Sequence, residues 1–245
     1  MTETTILNTR PEFSSQRTAQ IFENNGFSVI NLPCIAITVT NNPSEIIAKL
    51  NKIAANDTLI FTSQHAVTFA YQLYPQLKLT KEHTVITVGT KTAEILEHHS
   101  HADIWVPEKQ NSRGVIELLR NLKDIQNIKL ITAANGREEI QNYAINKLIN
   151  LEQVNVYQRK LPHVNSDVFK QIEQTNRLVI IATSISIITN LKQLAPKAIW
   201  QFLKTQTIAC ASQRIARQAL KQGFENIINT QSANPLQIAQ FLSKN

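Results

Sequence analysis

The chain replays itself. A strand, a turn and a helix recur in order, and the second half repeats the first at a near-constant offset of roughly 120 residues, half the chain. The apolar segment 129–132, followed by Gly136-Arg137, mirrors segment 6–9 followed by Pro11. Segment 153–157 mirrors 29–33. Segment 178–182 with Thr183-Ser184 mirrors 59–61 with Thr62-Ser63. Segment 207–210 leading into 212–216 mirrors 85–88 leading into 89–93, and 227–229 mirrors 104–106. Between these short strands lie stretches with helical spacing. One opens at Pro11, well placed in a first turn, and stops at Gly26; others cover 44–53 and 115–122 and begin after Thr62-Ser63 and Gly89. Strands that alternate with helices give parallel, doubly wound sheets, and a duplicated unit of this kind gives two similar α/β domains.

Of the 245 residues, 42% are hydrophobic and 18% charged, and the formal net charge is +7. The charged share falls below the usual quarter of residues, and Asn, Gln, Thr and Ser fill the gap. A basic balance favours an anionic partner. The cations stand singly along the chain, and aromatic residues make up only 6%, so nucleic-acid binding is disfavoured. Cys34 and Cys210 form no CxxC pair. His98, His99 and His101 cluster without a Cys or carboxylate placed to complete a zinc site, and read as a solvated helix end. No metal is expected. The first residues lack the basic flank of an export signal, and no run of eighteen apolar residues is present. A cytoplasmic protein with reduced thiols and no membrane partner is the expectation.

Two features point to chemistry. The hydroxyl pairs Thr62-Ser63 and Thr183-Ser184 fall where a strand ends and a helix begins. There a hydroxyl caps the helix, and the free N–H groups of its first turn can hold a carboxylate or phosphate. Capping needs no ligand; two equivalent copies in a basic chain leave plain capping and anion binding equally open. The second feature is the stretch 154–162, Val-Asn-Val-Tyr-Gln-Arg-Lys-Leu-Pro. On its own it reads as an edge strand with Tyr157 on the rim and Arg159 and Lys160 in water.

The motifs together resemble the uroporphyrinogen-III synthase family over the whole chain. They are Asn8-Thr9-Arg10-Pro11, Phe61-Thr62-Ser63, Val88-Gly89-Thr90-Lys91-Thr92-Ala93, Asn111-Ser112, Gly136-Arg137-Glu138 and Val156-Tyr157-Gln158-Arg159 ending at Pro162. The resemblance implies two similar doubly wound parallel-sheet domains joined by a two-stranded linker, with the active-site cleft between them. One domain would be discontinuous, residues 1–35 and 162–245, and the other would hold 36–161. The crossovers would run near 33–37 and 158–162, so that stretch 154–162 lies at a hinge. The implied reaction converts hydroxymethylbilane to uroporphyrinogen III, with loss of water and inversion of ring D, in haem biosynthesis. This makes the chain a lyase that needs no cofactor. Tyr157 would be the catalytic proton donor, or would position a water. Arg10, Thr62, Ser63, Thr90, Thr92, Arg137, Thr183, Ser184 and Ser212 would bind a substrate that carries eight carboxylates. A monomer is expected.

The sequence departs from the family pattern in places. The run before Arg137 is Ala133-Ala134-Asn135-Gly136 rather than Gly-rich. Ile215 stands where a Thr matching Thr92 is common, and Arg113 replaces an acidic residue. The competing reading is a non-enzymatic two-domain cytoplasmic binder of a polyanionic small molecule, which would share the fold and the charge. A product assay separates the two.

Overall fold

The computed structural model describes residues 4–134, 136 and 138–244, and among them eleven strands and eleven helices alternate, except where two strands and, further on, two helices follow in succession. The first half contains β1 (Thr5–Asn8), α1 (Glu12–Glu23), β2 (Ser28–Asn31), β3 (Ala36–Val39), α2 (Pro43–Asn51), β4 (Thr58–Phe61), α3 (Gln64–Leu73), β5 (Thr84–Thr87), α4 (Thr90–Glu97), β6 (Ile104–Trp105) and α5 (Ser112–Asn121). The second half contains β7 (Asn127–Ala133), α6 (Glu139–Asn146), β8 (Asn150–Lys160), α7 (Asp167–Glu173), β9 (Leu178–Ala182), α8 (Ile185–Leu194), α9 (Lys197–Thr205), β10 (Thr207–Cys210), α10 (Gln213–Lys221), β11 (Asn226–Asn229) and α11 (Pro235–Ser243).

The strands form two sheets, ordered β11-β10-β9-β1-β2 and β3-β8-β7-β4-β5-β6. Two compact units follow. One runs to Ile37 and resumes at Lys160; the other spans Thr38–Arg159. The repeat explains the strand orders. β1, β2, β4, β5 and β6 of the first half answer to β7, β8, β9, β10 and β11 of the second. Under that exchange the two sheets share one order, with β3 added to the second. Each half therefore places its first two strands in one sheet and its last three in the other. No unit boundary falls at the midpoint of the chain.

In the first sheet β1 pairs in parallel with β2 and β9, and β10 with β9 and β11. Its strands are short apolar runs, as sheets covered on both faces require. Successive residues point to opposite faces: Leu7, Ile180 and Ile208 enter a core with α7, α8, α9 and α10, while Ile6, Ile181 and Ala209 enter a core with α1 and α11. This is the doubly wound arrangement. In the second sheet β4 pairs in parallel with β5 and β7, β5 with β6, and β7 with β8. Ile60, Ile86, Ile128 and Leu130 pack beneath α5 and α6. The alternate residues Leu59, Phe61, Val85 and Ile131 are buried as well, and α3 and α4 pack together on that side, against β4, β5 and β7.

The segments 178–182 and 207–210 match strand bounds read from the sequence. Two expectations need correction. Pro11 sits one residue ahead of helix α1, as its N-cap, rather than inside the first turn. β8 is not an edge: β3 and β7 flank it, and it extends through Lys160. The residues that read as an edge-strand ending continue an interior strand, and Pro162 lies beyond it.

Candidate active site

The pattern of β8 sets up the site. Val154 and Val156 are buried and Asn155 between them is not, as alternation predicts. Tyr157 should then share the face of Asn155. A register shift changes this. Thr132 of β7 pairs with Asn155, but Ala133 pairs with Tyr157, so one extra residue of β8 bulges out. A bulge re-aims the side chains that follow it. Val156 and Tyr157 are both buried as a result, and Tyr157 is only 1% exposed.

The Tyr157 ring stacks on Phe69 of α3, centroids 5.8 Å apart and planes at 21°. The His65 ring meets it edge-on at 5.7 Å, and the Arg159 guanidinium lies 5.9 Å from its centroid. The Tyr157 hydroxyl is 2.9 Å from Ser63 Oγ. Ser63 is the N-cap of α3, and its Oγ also accepts the Ala66 N–H at 3.2 Å. Next to it the Thr62 hydroxyl donates to Thr132 Oγ1 at 2.8 Å. Burial lowers the pKa of half-buried His65, and the charge of Arg159 lowers it further. That ring is therefore biased toward its neutral form.

These groups line a pocket of about 390 Å³ at the carboxyl ends of the parallel strands, where open α/β sheets bind ligands. Thr62 and Ser63 enter from the end of β4, Val88 from β5, Thr132 and Ala133 from β7, and Tyr157 and Arg159 from β8. Gln110, Asn111 and Ser112 add a wall at the start of α5, and Leu130, Gly136 and Ile140 line the pocket as well. Asn111 Oδ1 accepts the N–H groups of Arg113 and Gly114 at 3.0 and 3.1 Å, which starts α5. Gln110 reaches back to α4, where its Oε1 accepts the Thr90 N–H at 3.2 Å. Among the described residues the lining holds hydroxyls, amides and one cation, but no carboxylate. Such a pocket suits an anionic ligand and can deliver a proton from a paired hydroxyl.

The structure brings Tyr157, Ser63 and Thr62 together here. Thr90 is exposed and touches the pocket through Gln110. Thr92 is buried in α4 and does not line it. Arg137 lies outside the described residues. The remaining sequence candidates belong to the other unit. Arg10 follows β1, and its Nη1 donates to Ala233 O at 2.6 Å. Its Nε is buried without a partner, and burial lowers its pKa. Ser184 caps α8 through the Ile187 N–H at 3.3 Å, as Ser63 caps α3, and Thr183 precedes it, half-buried. Ser212 holds the N-cap position of α10 with its carbonyl, which accepts the Ile215 and Ala216 N–H groups at 3.0 Å. Ile215 is core.

Sequence reasoning left Gln110, Thr132 and His65 out of the site. Thr132 could have been found as the residue matching Thr9 at the end of the repeated strand. Gln110 carries no such signal, because its partner Thr90 is distant in the chain. His99, in the cluster read as solvated, stacks on Tyr71 with centroids 4.5 Å apart. Among the described residues no helix is long and apolar enough to cross a membrane.

No curated protein sequence matches the chain significantly. Two solved structures share its fold. A mutant of the uroporphyrinogen III synthase of the extreme thermophile Thermus thermophilus aligns over 100% of this chain and 98% of its own, with a TM-score of 0.60 and 14% identity. The uroporphyrinogen-III synthetase of Helicobacter pylori 26695 aligns over 100% and 99%, with a TM-score of 0.59 and 16% identity. The family model described as Uroporphyrinogen-III synthase HemD matches residues 16–236. Nearly the whole chain is thus accounted for, and it belongs to the uroporphyrinogen-III synthase family.

Proposed function

We propose that the chain is a lyase that cyclises hydroxymethylbilane to uroporphyrinogen III, with Tyr157 as its proton donor. The observation that carries this reading is the 2.9 Å pairing of the Tyr157 and Ser63 hydroxyls in a pocket lined by other polar groups. The terminal hydroxyl of the substrate leaves as water once it receives a proton, and the adjacent pyrrole nitrogen supplies the electron pair. An azafulvene cation remains. The substituted carbon of ring D attacks it, the spiro intermediate fragments, and ring D closes in the inverted sense with loss of a proton. The proton taken up and the proton released balance, and the net loss is one water.

An electron-rich pyrrole expels its leaving group readily, so the help required is modest. A phenol donates at neutral pH without tuning. The rest is orientation: the carboxylates must be held so that ring D reaches the cation before solvent does. Thr62 and Thr90, with the N–H groups at the starts of α3 and α4, supply such contacts in this unit. In the other, Arg10, Thr183, Ser184 and Ser212 offer the same chemistry. The net charge of +7 matches a polycarboxylate. Thiols at Cys34 and Cys210, both buried, remain reduced in a cytoplasmic monomer.

The deciding experiment feeds hydroxymethylbilane to the protein and separates the isomers formed. Uroporphyrinogen III above the uncatalysed background is the expected product. Only isomer I, formed at the spontaneous rate, would reject the reading.

A further inference from the structure

We propose that Arg159 is the carboxylate anchor of this pocket and seats one acid side chain of the substrate beside the Tyr157–Ser63 pair. The proposal rests on the reading of the substrate as a polycarboxylate. It is carried by four observations. Arg159 lines the same pocket as Tyr157, Ser63 and Thr62. Among the described residues no Asp or Glu lines that pocket, and no carboxylate forms a salt bridge with Arg159. Its charge is therefore not cancelled locally, and it acts on His65 across the pocket wall. Finally, the guanidinium lies over the Tyr157 ring at 5.9 Å.

The geometry suits an anchor. A guanidinium held over an aromatic ring still has paired N–H donors that match a carboxylate. The stem rises from β8, two residues past the last pairing of that strand with β7, Ala133 with Tyr157. Arg159 follows Tyr157 by two residues, which ties the position of a bound carboxylate to that of the hydroxyl. A lysine here would give charge without the planar fork. The side chain is exposed, so removing it should not disturb the core. An anchor of this kind binds ground state and transition state alike, and so governs KM rather than kcat.

The test compares wild type with Arg159→Gln and Arg159→Lys, with far-UV circular dichroism and Tm verifying the fold. With hydroxymethylbilane, Arg159→Gln should raise KM about tenfold or more and leave kcat within about twofold, and Arg159→Lys should recover part of the loss. An unchanged KM, or a loss confined to kcat, would overturn the proposal. His65, followed by NMR, should titrate at higher pH in Arg159→Gln; an unmoved titration would mean that Arg159 does not stand over the site. If wild type fails to turn over hydroxymethylbilane, the functional reading falls on its own. Arg159 is then judged with benzenehexacarboxylate as probe: weaker binding by Arg159→Gln than by wild type sustains the anchor, and equal binding removes it.

Discussion

The roles proposed for Tyr157 and Ser63 are separable. Removing the phenolic hydroxyl leaves the ring stacked on Phe69, so Tyr157→Phe should keep its stability while kcat falls about 10²- to 10⁴-fold, the usual worth of a general acid. The residual product should remain mostly the III isomer, since the proposal gives the aiming of ring D to the walls of the pocket and not to the acid. A rate and isomer ratio at matched Tm check this; wild-type kcat would reject Tyr157 as the donor. Ser63→Ala removes a helix cap as well as a partner of Tyr157. It should cost about 1 kcal/mol of stability, read from denaturant midpoints. It should also raise KM, with a smaller loss of kcat than Tyr157→Phe. His65 contributes a pH dependence. Its folded-state pKa lies below the unfolded value, so the unfolded chain binds the proton more readily. Stability from this group is intact above about pH 6.5 and drains away as pH falls toward the folded pKa. His65→Gln should flatten the acid limb of a Tm–pH curve relative to wild type; two superimposable limbs would count against the burial of that ring.

At the scale of elements, α5 is held by an unusual contact. A Cβ on Gly114 would run into the backbone carbonyl oxygen of Lys109. Ala normally improves a helix over Gly by about 1 kcal/mol, but Gly114→Ala should destabilise this protein by about 1–3 kcal/mol. It should also weaken substrate binding, since the displaced turn carries Gln110, Asn111 and Ser112. Urea melts and KM test both parts. Two strand ends were legible in sequence because each is a short apolar run closed by a hydroxyl pair that caps the next helix: Thr62-Ser63 and Thr183-Ser184 announce β4 and β9 directly. The burial of Tyr157 was not legible. It depends on a bulge opposite Ala133, and a bulge is a product of pairing between strands that no single strand encodes. Gln110 escaped for a similar reason, as its role exists only once α4 and the turn before α5 lie side by side. Arg159 was visible as a cation, but without the pocket it reads as a solvated strand end.

The whole molecule is an exchange of strands between two repeats. Neither half holds a complete sheet: residues 1–124 supply β1 and β2 to one and β3 to β6 to the other. A chain cut in the connection at Lys123 and Asp124, where Asp124 adopts φ 61°, should therefore give two fragments that do not fold alone. Expressed together they should copurify and regain native circular dichroism. A half that folded cooperatively by itself would contradict the exchange. The repeat was legible because its offset is nearly constant, whereas which strands pair across it came from the family resemblance.

The same exchange sets a timetable at the ribosome. The sheet of β3 to β8 is complete once Lys160 has emerged. β1 and β2 wait longer, since β1 needs β9, and Thr5 aligns with Leu178. At roughly 5–20 residues per second, the roughly 150 residues between β2 and β9 leave the first strands without their central neighbour for about 8–30 s. Their apolar faces, Ile6 and Leu7 among them, are exposed for that interval. The segment that carries β1 and β2 is thus where a holdase chaperone would find its binding site, and slow translation between β2 and β9 would do most harm.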